Sequence, residues 1–243
     1  MSKLSIVIPV WNEERTLEEL VRKVYSVDLP RNFEKEFVIV NDGSKDKSWQ
    51  IMLKLATELK NVKAIQNEKN MGKSQTVRNG ILKTTGEFVI IQDADLEYDP
   101  NEIQNLLKLA LDKNLDVVYG NRFGKDNKVI YWLNYIGNRF LSVFSNVFTL
   151  PRVKVWIPDM EVCYKLVKGD VFREIAKDIT AKSTFGLEPE VTAKLSKYKE
   201  NGKHLKFGIV PISYFPRSMA EGKKMHAVKD GLKAMVEIIK YNL

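Results

Sequence analysis

Three carboxylates follow one strongly apolar segment of the chain at alternate positions. Residues 88–92 (FVIIQ) run directly into Asp93 and Asp95, and Glu97 comes two residues later. In an extended backbone, side chains two residues apart point the same way, so these negative charges repel unless a counter-ion joins them. Carboxylate oxygens are hard ligands that suit Mg²⁺ or Mn²⁺. The spacing favours a divalent cation site at Asp93, Asp95 and Glu97 over the alternative, which is acidic turn residues before a helix.

Two earlier apolar segments also end in polar side chains. The first ends in residues 9–14 (PVWNEE) and the second in residues 41–44 (NDGS). A dinucleotide-binding or Walker-type loop needs glycines so that helix amides can approach the phosphates. The first ending has no glycine and two carboxylates, which argues against nicotinamide, flavin and Walker-type enzymes. Trp11 beside Asp42 suits a nucleobase, by stacking and by accepting a ring N–H, although Asp42 is equally typical of a plain turn.

Basic residues lie between these strand ends. Gly72 allows close approach to the backbone, and Lys73 and Arg78 follow it on a predicted helix. Two cations at this place would neutralise a diphosphate. The alternative is a solvated helix face, where most Lys and Arg side chains lie.

Short segments rich in Val and Ile alternate with helical patterns through the first half of the chain. This alternation predicts an α/β fold with a mostly parallel central sheet flanked by helices, whose ligands lie at the carboxyl ends of the strands. The predicted strands are 4–10, 36–40, 62–66, 88–93, 116–119, 162–167 and 207–214. The predicted helices are 13–25, one with Ser44 as its N-cap, 73–83, one that begins at Asp99, 129–148, 170–177, 188–199 and a basic tail.

Composition excludes several classes of protein. The chain has 243 residues, of which 44% are hydrophobic, so it forms a packed core and is not disordered. The single cysteine, Cys163, has no disulfide partner within the chain, and we expect a buried thiol. We expect neither a signal peptide nor a transmembrane helix, because no run of about 20 apolar residues occurs. The net charge of +8 suits nucleic acid, an anionic membrane surface or a phosphorylated substrate alike.

Taken together, these motifs resemble those of a known family. Residues 9–13 (PVWNE), 41–44 (NDGS), 70–73 (NMGK) and 93–95 (DAD) look like the motifs of family 2 inverting glycosyltransferases with the GT-A fold. The second half resembles the dolichol-phosphate mannose synthase and polyprenyl-phosphate glucosyltransferase branch, in residues 159–165 (DMEVCYK), 186–191 (GLEPEV), 210–214 (VPISY), 216–217 (PR) and 221–224 (EGKK). The resemblance covers nearly the whole chain.

The resemblance implies one GT-A domain, 1–243, with a role for each matching residue. Residues 1–120 would bind the nucleotide sugar, 121–220 the acceptor, and 221–243 would form a basic amphipathic tail. The implied nucleotide-sugar site is Pro9, Trp11, Glu13, Asp42, Lys73, Asp93, Asp95 and Arg217, and the implied metal ligands are Asp93, Asp95 and Glu97. The implied acceptor-phosphate site is Arg122 and Arg139, and the implied catalytic residues are Asp95, Asp159 and Arg139. Trp11 stands where many relatives have Tyr, and Glu97 where some have Gln.

Two segments are candidates for contact with a membrane. In 129–148 large apolar residues recur at helical spacing, which by itself indicates a helix packed on the core. The resemblance instead favours an amphipathic helix in the membrane interface, with Arg139 facing a lipid phosphate. For the tail, with Lys223, Lys224 and Lys240, membrane contact and core packing stay equally open. We expect peripheral association with the cytosolic face of a membrane, with a separate anchoring partner as an option.

The predicted reaction is a metal-dependent, inverting transfer of mannose or glucose to a polyprenyl or dolichyl monophosphate. The donor would be GDP-mannose or UDP-glucose and the cofactor Mg²⁺ or Mn²⁺. One alternative is a hydroxyl acceptor on a polysaccharide or protein, for which Asp159 must act as a base. A nucleotidyltransferase and a non-enzymatic basic binding module are further alternatives. No nucleic-acid partner is expected, because the basic residues form no recognisable reading motif.

Overall fold

A seven-stranded sheet forms the centre of the protein. The computed structural model describes residues 2–182, 186–217 and 227–243, with the backbone alone at 227–230. The strands are β1 (Lys3–Val10), β2 (Glu34–Asn41), β3 (Val62–Gln66), β4 (Phe88–Ile91), β5 (Val117–Asn121), β6 (Lys165–Lys168), β7 (Lys199–Glu200), β8 (Lys203–His204) and β9 (Phe207–Pro211). The order in the central sheet is β3-β2-β1-β4-β6-β5-β9, and β7 pairs with β8 separately. Strands from both halves of the chain therefore share one sheet.

Helices flank this sheet, as the alternating pattern predicted. They are α1 (Leu17–Ser26), α2 (Ser48–Glu58), α3 (Lys73–Ile81), α4 (Glu102–Lys113), α5 (Trp132–Val153), α6 (Gly169–Lys177), α7 (Leu187–Lys197) and α8 (Ala227–Asn242), with a short 3-10 turn at Pro30–Asn32. The prediction of a mostly parallel α/β architecture is confirmed. The tail residues Lys223 and Lys224 lie outside the described residues.

Two predicted N-cap residues, Ser44 and Asp99, are wrong. Helix α2 begins at Ser48. The hydroxyl of Ser44 does not cap this helix, because it accepts the backbone N–H of Asn12 at 2.9 Å. Helix α4 begins at Glu102, and the Asp99 carboxylate accepts the backbone N–H of Asn101 in the turn before it. In both cases the polar side chain stabilises the loop that leads into the helix.

The parallel strands are buried on both faces. Ile6, Val7 and Ile8 are consecutive in β1 and all are 0% exposed. A strand with one solvated face would alternate between buried and exposed residues. This continuous burial explains why the strands read as unbroken apolar runs in the sequence.

Strand β6 runs against its neighbours. It pairs antiparallel with both β4 and β5, so that its first residue, Lys165, lies opposite Tyr119 near the end of β5. The amino end of β6 therefore lies beside the carboxyl ends of the parallel strands. The loop before β6, which carries Asp159 and Glu161, reaches the sheet edge where a ligand site is expected.

Helix α5 has an unusual distribution of side chains. It packs against α7 and α8, and its buried side is mostly small and polar: Leu141, Ser142, Ser145, Asn146, Thr149 and Val153. Its exposed side carries large apolar residues: Trp132, Leu133, Ile136, Phe140, Val143 and Val147. Within the described ranges, no helix has the length and apolar character needed to cross a bilayer.

A buried carboxylate links the amino-terminal parts of β1, β2 and β3 and the loop before β4. Glu36 accepts hydrogen bonds from the Lys63 ammonium at 2.7 Å, the Ser5 hydroxyl at 2.5 Å and the Thr85 backbone N–H at 2.7 Å. Burial would raise the pKa of Glu36, but these bonds, with that from Lys63 foremost, lower it to about 2. The network lies at the end of the sheet opposite the loop before β6.

Helix α3 approaches the sheet closely through Gly80, and this contact predicts the effect of a small substitution. A Cβ at Gly80 would lie 2.5 Å from Val7 Cγ1 and 3.1 Å from Val40 Cγ2. Gly80→Ala should therefore lower the free energy of unfolding by about 1–3 kcal/mol, since overpacking outweighs the gain in helix propensity. Urea denaturation followed by circular dichroism measures the change.

Gly137 on α5 is the matched control. A Cβ there would have no atom within 4 Å, so Gly137→Ala should stabilise the protein by about 0.5–1 kcal/mol. Equal effects of the two substitutions would contradict the close packing of α3 on β1.

Candidate active site

A pocket of about 600 Å³ lies at the carboxyl ends of β1, β2 and β4, and we call it the strand-end pocket. Parallel strands bring their polar carboxyl ends to one edge of the sheet, which places residues distant in sequence side by side. Among the side chains that line it are Pro9, Trp11, Glu13, Asp42, Lys73, Asp93 and Asp95. These are the residues predicted to hold a nucleotide sugar, apart from Arg217.

Trp11 and Asp42 differ in exposure and in the contacts that they could make with a ligand. The Trp11 side chain is 50% exposed, which leaves aromatic surface for stacking on a planar base. Asp42 is buried, and its oxygens accept the Asn67 amide at 2.9 Å and the backbone N–H groups of Met71 at 2.8 Å and Gly72 at 2.9 Å. Asp42 therefore also anchors the loop before α3. In this loop Gly72 has a φ of +83°, a backbone angle that residues with a side chain rarely adopt.

Lys73, the first residue of α3, pairs with two carboxylates. Its ammonium lies 2.9 Å from Asp93 Oδ1 and 3.4 Å from Glu188 Oε1 on α7. Burial disfavours a charged lysine, but the carboxylates of Asp93 and Glu188 hold the pKa of Lys73 well above its ordinary value. Lys73 is thus a permanent cation in this pocket. Arg78, the other predicted cation, donates instead to the carbonyl of Lys177 at 3.1 Å.

Arg217 reaches the same pocket from the segment after β9. Its guanidinium lies 3.1 Å from Asp95 Oδ2 and 3.6 Å from Glu13 Oε2. The backbone N–H of Arg217 donates to Glu97 Oε1 at 2.8 Å, and the hydroxyl of Tyr214 donates to Glu97 Oε2 at 2.7 Å. Glu97, predicted as a metal ligand, therefore fastens this segment beside the pocket.

Asp93 and Asp95 are the carboxylates that fit a divalent cation. Burial, followed by the charges of Asp93 and Glu97, raises the pKa of Asp95 to about 7 against the opposing effect of Arg217. A bound cation would offset the repulsion that Asp93 and Glu97 exert on Asp95. Among the described residues, no group of three or more His, Cys, Asp or Glu is arranged to hold a metal. Mg²⁺ in phosphate sites commonly takes one or two carboxylates together with substrate phosphates, and the pair present fits that pattern.

A second pocket, of about 340 Å³, lies beside the start of α5, and we call it the α5 pocket. Its lining combines cations and aromatic rings, among them Arg122, Lys125, Lys128, Tyr131, Tyr135 and Tyr214. Such a lining suits an anion attached to an apolar group, because cations bind the charge and rings pack on the rest.

Arg122 is fixed in this pocket by the buried Asp159. The Nε and Nη2 atoms of Arg122 donate to the two oxygens of Asp159, both at 2.8 Å, and its backbone N–H adds a third bond at 3.0 Å. The Asp159 side chain is 0% exposed, and the guanidinium also lies 5.1 Å from the centroid of the Tyr214 ring. Burial disfavours the charge, but Asp159 holds the pKa of Arg122 well above its ordinary value. The guanidinium is therefore charged and held in one orientation.

Arg139 lies apart from this pair. Its side chain is exposed, and its guanidinium lies 5.2 Å from the centroid of Phe123, a residue that lines the α5 pocket. Of the two arginines predicted to bind an acceptor phosphate, only Arg122 lines the described part of this pocket. The ring of Phe123 lies between Arg139 and the α5 pocket.

Tyrosines connect the two pockets. Tyr214 contacts Arg122 through its ring and Glu97 through its hydroxyl. Its ring centroid lies 5.2 Å from that of Tyr98, which stacks at 4.8 Å on Tyr164. Tyr214 therefore links the α5 pocket, which it lines, to Glu97, two residues from Asp95 of the strand-end pocket.

Sequence reasoning missed several of these residues. Glu188 and Tyr214 lie in motifs that carry the family resemblance, but no role was predicted for either. Their partners, Lys73 and Glu97, are 115 and 117 residues away in the chain. Local spacing cannot reveal such pairs, and the motif positions were the only signal for them.

Comparison with known proteins adds to this geometry. The family described as Glycosyl transferase family 2 matches residues 5–176. The chain is 33% identical over 243 residues to the dolichol-phosphate mannosyltransferase of Pyrococcus furiosus, covering 98% of this chain and 64% of that protein. It is 34% identical over 131 residues to a dolichyl-phosphate beta-glucosyltransferase of Trichomonas vaginalis, covering 49% of this chain and 40% of that protein. The chain thus spans less than two thirds of the length of these relatives.

Solved structures share the fold. Glucosyl-3-phosphoglycerate synthase from Mycobacterium tuberculosis, crystallised with Mn²⁺, uridine diphosphate and glucosyl-3-phosphoglycerate, matches with a TM-score of 0.67 at 13% identity, covering 99% of this chain and 80% of that one. Mannosyl-3-phosphoglycerate synthase from Rubrobacter xylanophilus matches with a TM-score of 0.70 at 12% identity, covering 99% and 72%. At these identities the likeness shows the fold alone, and it confirms the predicted GT-A type.

Because Arg122 and Asp159 form a buried pair, a conservative substitution of Asp159 should destabilise the protein strongly. Asp159→Asn keeps the shape of the side chain but leaves the buried guanidinium without its counter-charge, which should lower the free energy of unfolding by roughly 3 kcal/mol. Urea denaturation measures the loss.

The matched control is Asp112→Asn. Asp112 pairs with Arg31 at 3.0 Å, but both side chains are at least half exposed, so no measurable change in stability is expected. Similar losses in the two variants would contradict the special role of the buried pair.

Proposed function

The chain belongs to glycosyl transferase family 2, and from this premise we propose that it transfers a hexose from a nucleotide sugar to a polyprenyl monophosphate. The anomeric configuration would invert. The donor is GDP-mannose or UDP-glucose, and the acceptor is a polyprenyl or dolichyl phosphate. The single observation that carries the proposal is the α5 pocket, in which Asp159 holds the Arg122 guanidinium in one orientation among aromatic rings.

The strand-end pocket would hold the donor. Trp11 stacks on the base, and Glu13 and Asp42 bind the nucleoside near it. Lys73 and Arg217 are the cations that would neutralise the diphosphate. Their present partners are carboxylates at 2.9–3.6 Å, so each cation is already charged before the donor enters.

The α5 pocket would hold the acceptor. Arg122 presents a guanidinium whose planar fork suits a phosphate better than a lysine ammonium does. Asp159 keeps that guanidinium in place, and we assign to it a positioning role. The aromatic lining of the pocket would contact the first apolar carbons of the lipid, and Arg139 would meet the phosphate only from the outer side of Phe123.

The reaction needs little help from a base. A phosphate oxygen of the acceptor attacks the anomeric carbon, a new C–O bond forms, and the bond from that carbon to the nucleoside diphosphate breaks on the opposite face. A phosphate monoester has a second pKa near 6, so most of it is dianionic at neutral pH and carries no proton to remove. The chain has to orient the two phosphates and to hold cations beside them.

Asp93 and Asp95 would hold a divalent cation, Mg²⁺ or Mn²⁺. When bound, the cation supplies positive charge to the departing diphosphate. Glu97 is engaged with Arg217 and Tyr214, so we assign it to the support of that segment.

A hydroxyl acceptor is supported less well. A sugar or protein hydroxyl needs a base, and Asp159 is the carboxylate that the sequence offered for it. Asp159 is fully buried, and both of its oxygens are bonded to Arg122. In that position it cannot also accept a proton from a hydroxyl.

We further propose that α5 lies on a membrane surface. Most of the large apolar side chains of α5 are exposed, while most of its buried side chains are small and polar. The surface helix of a water-soluble protein has the opposite arrangement. Helix α8, which packs on α5, exposes Leu232, Val236 and Ile239. Two neighbouring helices with exposed apolar sides suit the boundary of a bilayer that contains the lipid acceptor.

The first prediction concerns transfer itself. Wild-type protein with Mg²⁺ or Mn²⁺ should move radiolabelled hexose from GDP-mannose or UDP-glucose into polyprenyl phosphate, and not into the corresponding polyprenol. The physical reason is that Arg122 recognises a phosphate, which the alcohol lacks. The measurement is the label extracted into organic solvent.

Two variants serve as controls for this assay. Asp95→Asn should lower the rate by about 100-fold, since the pocket loses a metal-binding charge, whereas Asp99→Asn, four residues along, should leave the rate unchanged. Equal labelling of phosphate and alcohol, or no transfer from any nucleotide sugar, would refute the proposal.

The second prediction concerns the apolar side of α5. Replacing Leu133 (70% exposed) and Val147 (65% exposed) together by Asn should weaken binding to phospholipid vesicles by at least tenfold in a sedimentation assay. Leu53→Asn on α2, also exposed at 46%, is the control and should bind as the wild type does. Unchanged binding of the double variant would mean that α5 does not face the membrane.

A further inference from the structure

Strands β5 and β9 stop pairing just before they reach the α5 pocket. Their parallel ladder ends with Asn121 opposite Pro211, and a backbone bond runs from the N–H of Ile212 to the carbonyl of Asn121 at 3.1 Å. Beyond this point both segments continue into residues that line the pocket, Arg122 on one side and Tyr214 on the other. Backbone pairing no longer fixes the spacing of these two segments, so side chains have to do it.

The side chain of Asn127, in the loop after β5, continues the pairing. Its Nδ2 donates to the carbonyl of Ile212 at 2.9 Å, and its Oδ1 accepts the backbone N–H of Tyr214 at 2.9 Å. A residue in a parallel neighbouring strand makes this same pair of bonds, to one carbonyl and to the N–H two residues later. The amide of Asn127 therefore takes the place of a strand residue opposite Ser213.

Asn127 also fixes the other side of the pocket. Its Nδ2 donates to the carbonyl of Arg122 at 2.7 Å, while the backbone N–H of Arg122 donates to Asp159 at 3.0 Å. The backbone of Arg122 is thus held through both its N–H and its carbonyl. The guanidinium of Arg122 lies 5.1 Å from the centroid of the Tyr214 ring. One amide therefore joins the backbones of two residues whose side chains are already in contact.

Glu102, at the start of α4, holds the same two segments on the core. Its buried carboxylate accepts the backbone N–H of Ser213 at 2.9 Å, the hydroxyl of Ser213 at 2.8 Å and the ammonium of Lys125 at 2.5 Å. Lys125 lies in the loop after β5 and lines the α5 pocket. Glu102 thus anchors both segments to α4, and the bonds of Asn127 set the spacing between them.

Asn127 has no hydrogen-bond donor left for a ligand. It is half-buried and lines the α5 pocket, but its amide nitrogen carries two hydrogens, and both are engaged with the carbonyls of Arg122 and Ile212. A phosphate in the pocket would therefore find its donors on neighbouring residues. Any effect of Asn127 on such a ligand has to pass through the residues that it holds.

We propose that Asn127 is a positioning residue for the phosphate end of the acceptor. By joining the backbone of Arg122 to that of Tyr214, it keeps a guanidinium and an aromatic ring at the spacing that a phosphate and the first apolar carbons behind it require. A pocket that is ordered before its ligand enters binds that ligand more tightly, because less freedom is lost on binding. The inference rests on the proposed function, because it takes the ligand of the α5 pocket to be a prenyl phosphate.

Steady-state kinetics of Asn127→Ala test this role. The variant lacks all three bonds, so its KM for polyprenyl phosphate should rise about tenfold, while its kcat and its KM for the nucleotide sugar stay within about twofold of the wild type. The donor is spared because Asn127 does not line the strand-end pocket. If Asn127→Ala does not fold, Asn127→Ser takes its place with the same expectations. An unchanged KM for polyprenyl phosphate, or an equal rise in both KM values, would overturn the proposal.

Asn242→Ala is the matched control for the loss of amide bonds. Asn242 ends α8, where its Oδ1 accepts the guanidinium of Arg152 at 3.0 Å and its Nδ2 donates to the carbonyl of Ile238 at 2.9 Å. Arg152 lies in the last turn of α5, whereas the α5 pocket lies beside the first. Asn242→Ala should lose stability in urea denaturation, as Asn127→Ala does, but keep both wild-type KM values. A rise of the acceptor KM in Asn242→Ala as large as in Asn127→Ala would mean that Asn127 acts through stability alone.

Two further measurements need no transfer. The backbone N–H of Tyr214 is bonded to Asn127 in the wild type, so hydrogen exchange at Tyr214 should be at least about tenfold faster in Asn127→Ala and unchanged in Asn242→Ala. Equal exchange in Asn127→Ala and the wild type would refute the positioning role. Titration calorimetry with geranyl phosphate separates this inference from the proposed function. If the wild type does not bind geranyl phosphate, the proposed acceptor site fails; if the wild type and Asn127→Ala bind it equally well, only the role of Asn127 fails.

Discussion

The pairing of cations in the two pockets with carboxylates that are partly or fully buried is the interaction on which the rest of this structure depends. Lys73 and Arg122 each lie in a pocket that suits a phosphate, and each is held by an acid that water scarcely reaches. A desolvated cation without such a partner would lose its charge or move to the surface. The carboxylates therefore keep these two cations charged and fixed in their pockets.

The reversed strand β6 makes this arrangement possible. In a purely parallel sheet, the edge with the carboxyl ends receives only the loops that follow strands. Because β6 is antiparallel to β4 and β5, the loop before it also arrives at this edge and brings Asp159 and Glu161. Asp93 and Asp95 follow β4, and Arg122 follows β5. The single sheet thus brings these residues to one edge, where Tyr214 contacts both Arg122 and Glu97.

The sequence was informative where neighbours in the chain are neighbours in space. Asp93, Asp95 and Trp11 were recognised because they end apolar strands, and all of them line the strand-end pocket. The pairing of Arg122 with Asp159 was not predictable from spacing, since it joins residues 37 apart and depends on the direction of β6. The same limit explains why the bonds of Glu97 with Tyr214 and Arg217 were missed, since they join residues 117 and 120 apart. The metal role of Glu97 stays a prediction. Arg139 was placed by resemblance alone, and the turn of α5 leaves it outside the pocket.

The central claim is that two separate pockets bind a nucleoside diphosphate and a lipid phosphate at the same time, with Arg122 serving only the second. Isothermal titration of a short-chain prenyl phosphate, with and without saturating nucleoside diphosphate and Mg²⁺, tests it directly in the wild type and in Arg122→Gln. The account predicts that both ligands bind together to the wild type, and that Arg122→Gln loses the prenyl phosphate by about 100-fold while it keeps the nucleotide. Mutual exclusion of the two ligands, or equal losses of both in Arg122→Gln, would contradict it.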